Sequence, residues 1–182
     1  MRLSFTLLVF LLVVNVSFAQ RDFDGGDGWS LKDRGYFGFG LSGLSFGSNA
    51  NYGNFFSIGV TGQLGYMLVE NLSIGAGAEY QYDSYSDIKA KNHIYGGYPF
   101  VRYNIKDFFI QADYNVGTIK ADFETQKFKR SYERFFVGVG YSSSAGSNGQ
   151  VHILATYDFL YTNTSPFASP LAIRVYFTGW IN

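Results

Sequence analysis

Six charged side chains fall on one face of the strand-like segments of this chain: the acids Glu79, Asp113 and Asp158 and the arginines Arg102, Arg134 and Arg174. Gln63, Gln81, Asn104, Gln111, Asn115 and Thr156 fall on the same face. Three carboxylates against three guanidinium groups is a set built for pairing. The planar five-donor fork of Arg can hold a carboxylate at two points, and an unpaired buried charge costs several kcal/mol. The set is therefore expected either to lock strand register and close an interior, or to line a narrow gated path. Nucleophilic or metal chemistry has little to build on. The chain has two histidines, His93 and His152, and no Cys, so no His/Cys ligand cluster and no disulfide can form. Neither a metal nor a cofactor is expected.

The elements that must position this face are β-strands. From residue 55 to 82 the chain alternates with a period of two: Phe56, Ile58, Val60, Gly62, Leu64, Tyr66, Leu68 against Ser57, Gly59, Thr61, Gln63, Gly65. After Glu70-Asn71 it resumes with Leu72, Ile74, Ala76, Ala78, Tyr80, Tyr82 against Ser73, Gly75, Gly77, Glu79, Gln81. Successive side chains on a strand point to opposite faces. One face is apolar with aromatics near the strand ends, and the other is small or polar with isolated charges. That is a barrel turned inside out, with lipid outside and polar groups within. Aromatic content of 20% and 22 Gly against three Pro suits a small curved sheet with interfacial aromatics.

The N-terminus points the same way. Arg2 precedes an apolar run, Phe5 to Val14, broken only by Thr6, and Ser17-Phe18-Ala19 offers small residues for cleavage. Residues 1–19 read as a secretory signal peptide, too short for a spanning helix. Its removal takes away Arg2 and leaves 13 basic and 14 acidic residues, a balance that makes no case for nucleic acid as a partner. Residues 20–34 are polar and Gly-rich and read as a periplasmic N-terminal tail. Residues 35–182 then form one domain, an all-β, eight-stranded antiparallel up-and-down transmembrane β-barrel.

Eight segments are expected at about 35–46, 55–69, 72–83, 93–105, 108–118, 132–142, 150–161 and 170–181. The links alternate: tight at 69–72 and 105–108, small at 143–149, longer or more polar at 48–54, 84–92, 119–131 and 163–169. Outer-membrane barrels have short periplasmic turns and longer outside loops, so both termini are assigned to the periplasm. In that orientation the outward aromatics sort into two levels. Phe37, Tyr66, Tyr103, Phe108, Tyr141 and Phe177 form one, and Phe56, Tyr80, Tyr82, Tyr157, Phe159 and Tyr161 the other. Aliphatic residues such as Ile58, Val60, Ile110, Val139, Ile153 and Ile173 lie between them. The longest expected loop, 119–131, carries the basic run Lys127, Lys129 and Arg130, candidate contacts for lipopolysaccharide phosphates.

The signal peptide, the tract VTGQLGYMLVENLSIGAGAEYQY at 60–82 and GGYPFVRYNI at 96–105 resemble small outer-membrane β-barrel proteins of the OmpX/OmpW-like kind, the outer membrane protein beta-barrel domain families. The chain departs from them at its end: it closes on Gly179-Trp180-Ile181-Asn182 where such barrels commonly end on an aromatic. The resemblance implies a porin-like protein of the Gram-negative cell envelope, in the cell outer membrane and monomeric. It also implies the outer-membrane assembly machinery, outer-membrane lipids and lipopolysaccharide as partners. The role expected is non-enzymatic: a closed polar core, with envelope integrity or surface interaction served by the extracellular loops. The alternatives are a narrow OmpW-like channel for small solutes and a lipid A-modifying enzyme. Against the last, the stretches at His93 and His152 lack the serine of the His-x-Ser-Asn arrangement that lipid A deacylases carry.

Overall fold

The computed structural model describes residues 34–49, 53–86, 90–122, 127–145, 149–162, 165–167 and 169–181. The signal-peptide and tail assignments, residues 1–33, lie outside the described residues. The rest forms eight strands: β1 (Gly35–Asn49), β2 (Gly53–Val69), β3 (Leu72–Tyr85), β4 (Ala90–Ile105), β5 (Phe108–Asp122), β6 (Lys127–Ser144), β7 (Gly149–Asp158) and β8 (Leu171–Trp180). Each pairs antiparallel with its sequence neighbours, and β8 returns to β1 through pairs from Tyr36↔Trp180 to Leu41↔Val175. Closure removes the sheet edge over the paired part of the barrel, while β1 beyond Leu41 and β6 before Phe136 extend past their β8 and β7 partners.

The short turns stand as expected. Glu70-Asn71 joins β2 to β3, and Lys106-Asp107 joins β4 to β5. Lys106 adopts a left-handed backbone, φ 56°, which a two-residue hairpin turn favours. The other end differs from expectation. The stretch 119–131 is mostly ladder: β5 and β6 pair to Lys120↔Lys129 and Asp122↔Lys127, leaving residues 123–126 between them. Residues 84–92 shrink likewise to the link between Tyr85 and Ala90. Charge had marked these stretches as loops, but ladder hydrogen bonds belong to the backbone. A strand pair projecting into water carries charged side chains on either face at little cost.

The longest link is instead 159–170, because β7 stops at Asp158 rather than 161. Its carboxylate ends the strand. Asp158 Oδ1 accepts the backbone N–H of Leu160 at 3.0 Å and of Phe135 at 3.2 Å, bonds that compete with the ladder. The rim at this end is consequently uneven, tall over β1–β6 and low over β7–β8.

Sidedness follows the alternation. Leu64, Val139 and Ile173 are each more than 60% exposed and sit on the outward face with Ile58, Val60, Ile74, Ile110 and Ile153. Phe37, Tyr103, Phe108, Tyr141 and Phe177 are exposed at the short-turn level, and Phe56, Tyr80, Tyr157 and Phe159 at the other. Tyr66, Tyr82 and Tyr161 are half-buried.

The core lies inside the barrel, and it is less polar than the sequence implied. Tyr36, Tyr98, Phe100, Phe109, Tyr132, Phe136, Leu154 and Tyr176 all point inward and are buried. Inward glycines on the neighbouring strand make room for the rings. Gly65 is paired with Tyr36, Gly77 with Tyr98 and Gly140 with Phe109, and a Cβ at any of the three would overlap the ring beside it.

Candidate functional site

The interior holds one column of polar contacts interleaved with rings. At mid-height, Arg174 on β8 donates from Nη1 to both oxygens of Asp113 on β5, at 3.0 and 3.1 Å. The same carboxylate accepts from Asn115 Nδ2 at 2.6 Å and Gln111 Nε2 at 3.1 Å. Asp113, Asn115 and Gln111 sit two residues apart on one strand, so one face of β5 supplies the acid and both its amide partners. Four bonds to one buried carboxylate meet the condition under which a buried ion pair is tolerated.

Toward the long-link end, Arg134 on β6 donates from Nε to Asp158 Oδ2 at 2.7 Å. Phe136 separates the two pairs. Its ring lies 4.3 Å from the Arg134 guanidinium carbon and 4.8 Å from that of Arg174, so the face of one ring serves two cations. Phe167 caps Arg134 from the β7–β8 link at 3.9 Å.

Arg102 and Glu79 depart from the expected scheme of three acid–arginine pairs. No carboxylate among the described residues lies within ion-pair distance of Arg102. Its Nε and Nη2 donate to Gln111 Oε1 at 3.1 and 2.7 Å, and Nη2 donates to the Tyr176 hydroxyl at 2.7 Å. The rings of Phe109, Tyr176, Phe100 and Tyr36 surround it at 4.6 to 5.8 Å. Glu79 accepts a hydroxyl bond from Tyr132 at 3.3 Å. An amide, a phenol and ring faces thus take the place that the sequence assigned to carboxylates. Parity places residues on a face, but the height at which two of them meet depends on barrel stagger.

Other interior contacts were not foreseen. Asp83 is buried and accepts from Ser57 Oγ at 2.6 Å and Gln81 Nε2 at 2.8 Å. His152 is buried between Ser142 Oγ, 2.8 Å from Nδ1, and Thr178 Oγ1, 2.8 Å from Nε2, and stacks on Tyr176. The Ser142–His152 distance is within nucleophile–base reach, but the group on the second nitrogen is a hydroxyl rather than a carboxylate. The contact ties β6, β7 and β8 together. The pairing of Ser142 with His152 across β6 and β7 needs the register, which their sequence spacing does not give.

The basic run does not form one patch. Lys129 and Arg130 are exposed consecutive residues of β6, so they project to opposite faces. The side chain of Lys127 lies outside the described residues. His93 sits on the outer side of β4, its Nδ1 2.7 Å from the Tyr80 hydroxyl.

No family model and no curated protein matches this sequence. Among solved structures the chain is similar to the crystal structure of Neisserial surface protein A (NspA), with TM-score 0.51 and 12% identity over 85% of this chain and 99% of that one. At that identity the likeness is one of fold. The fold is that of the small eight-stranded outer-membrane barrels.

Proposed function

We propose that this chain is a non-enzymatic barrel of the Gram-negative outer membrane. In this reading its interior is sealed by its own side chains, and it serves envelope integrity or surface interaction through the end that carries the long link. The observation behind this is the inversion of sidedness. Aliphatic residues more than 60% exposed lie outside, between two aromatic levels, while Asp113, Asp158, Arg174 and Gln111 are at most 3% exposed within. Water gives no reason to sort an outer face by height, and a bilayer does. The short turns at 70–71 and 106–107 face the periplasm in this reading. Lys129 and Arg130 face outward from the cell, where lipopolysaccharide phosphates are available to them. Insertion would depend on the outer-membrane assembly machinery and would yield a monomer.

Planar-bilayer recording of the refolded chain tests the seal. No steady current is expected, and a steady open-channel current would move the function to passage of small solutes. Orientation is tested with single cysteines on intact cells, where Lys129→Cys should react with an impermeant thiol reagent and Lys106→Cys should not. The reverse labelling would invert the barrel.

A further inference from the structure

At the short-turn end the interior opens into a cavity of about 290 Å³. Its charged lining is Arg102, Lys106 and Glu70, with Tyr36, His152 and Trp180 among the walls. Arg102 is only 3% exposed, and its planar guanidinium presents five N–H donors. Three of its hydrogen bonds are accounted for, from Nε and Nη2, all to neutral acceptors. Nη1 has no hydrogen-bond partner among the described residues, yet it is not one of the buried side-chain atoms left unbonded. It therefore keeps contact with open space, and the cavity that Arg102 lines is that space.

The guanidinium is also held rigid. Gln111 and Tyr176 fix one edge, and four rings border it. A fixed cation in a low-dielectric wall, with its free N–H groups toward a mouth and a second cation at the rim, attracts anions more strongly than an exposed charge does. Arg174, equally buried, already holds a carboxylate at two oxygens, so its charge is satisfied within the protein. Of the three interior arginines, Arg102 is the one with no carboxylate partner among the described residues.

We infer that this cavity is a binding site for a small oxyanion, a carboxylate or phosphate, held by Arg102 Nη1 with Lys106 at the entrance. The cavity lies at the lower limit of typical ligand pockets, which is ample for a small oxyanion and its waters. The inference stands whether or not the barrel passes a current, because it needs entry from one end only.

The experiment is a titration of the refolded full chain in neutral detergent with sodium phosphate, sodium acetate or sodium chloride at matched ionic strength. It is followed by amide and Arg Nε chemical shifts. Saturable shifts are expected at residues 71–73, 102–104 and 150–152, with the Arg134 region silent. Saturation by phosphate alone assigns the phosphate form, and by acetate alone the carboxylate form. Arg102→Gln, checked for folding by heat-modifiable gel mobility, should weaken binding at least tenfold. Lys106→Asn, on an exposed turn whose left-handed backbone Asn accepts, should weaken it two- to fivefold and serves if Arg102→Gln fails to fold. Shifts equal to those from chloride, or a response unchanged in a folded variant at Arg102 or Lys106, would overturn the site.

Discussion

Arg174 and Arg102 are buried to the same extent, 3% exposed each, and the barrel accommodates them by opposite means. Arg174 has a counter-charge, Asp113, which two amides orient. Arg102 has one amide oxygen, one phenol and four ring faces, with no acid in reach among the described residues. Gln111 joins the two, accepting from Arg102 and donating to Asp113. The Arg174–Asp113 pair is thus closed on itself, while the cavity at the short-turn end is lined by two cations, Arg102 and Lys106, and one carboxylate, Glu70. A sealed barrel needs the first arrangement. The second spends ring area and hydrogen bonds on keeping one donor pair free, which plugging alone does not require.

The comparison breaks most visibly if the counter-charge is removed. Asp113→Ala leaves Arg174 buried without an anion, and Gln111 and Asn115 each lose an acceptor. Breaking a buried pair from one side destabilises by about 3–5 kcal/mol, and the refolded fraction in urea titration should fall accordingly. A loss under about 1 kcal/mol, the range of exposed pairs, would mean that the pair does little to hold the barrel.

A third environment for arginine can be made on the outer face. Val139 is 65% exposed and lies on the outward face in the aliphatic band, paired with Ile110 and Ala155. Val139→Arg places a guanidinium with neither acid nor amide into lipid, at about 2–4 kcal/mol near the bilayer midplane. The same variant in lipid-free detergent should lose less. Equal, negligible losses in both media would remove the lipid-facing assignment of this face.

The contrast between the two arginines also marks where the sequence stops being legible. Period-two alternation between Phe56 and Tyr82 named the outward belt and the inward set, because parity is a local property of a strand. Eight segments and two tight turns followed from the same pattern. The heights at which Arg102, Glu79 and Asp113 meet other strands depend on register around the whole barrel, which no local pattern encodes. Phe109 and Phe136 share the parity of the inward polar set, and the signal that would have placed them inside was there. Gly140 and Gly138 also carry the inward parity, and a small residue across a strand pair leaves room for a ring. Asp158 was read only as a charge, and its role in ending β7 was hidden because a cap depends on which N–H groups lie beside it.

The finest test of the comparison is at its link. Gln111→Leu has similar bulk and fills the same space in a site that is 1% exposed, but it removes the oxygen that holds Arg102 and the N–H that Asp113 accepts. Asp113 keeps Arg174 and Asn115, so the central pair survives. Arg102 keeps Tyr176 and its rings but loses two bonds of 2.7 and 3.1 Å. Leaving a buried donor short of its acceptor costs about 1–3 kcal/mol, so the loss should be smaller than for Asp113→Ala in the same urea titration. With fewer bonds fixing its plane, the guanidinium would also wander, and the Arg102 Nε resonance should broaden while that of Arg174 stays sharp. Broadening at both would show that Gln111 makes one connected network of the two ends. Sharp signals at both would show that the rings alone hold Arg102, and that the amide is dispensable to the short-turn end.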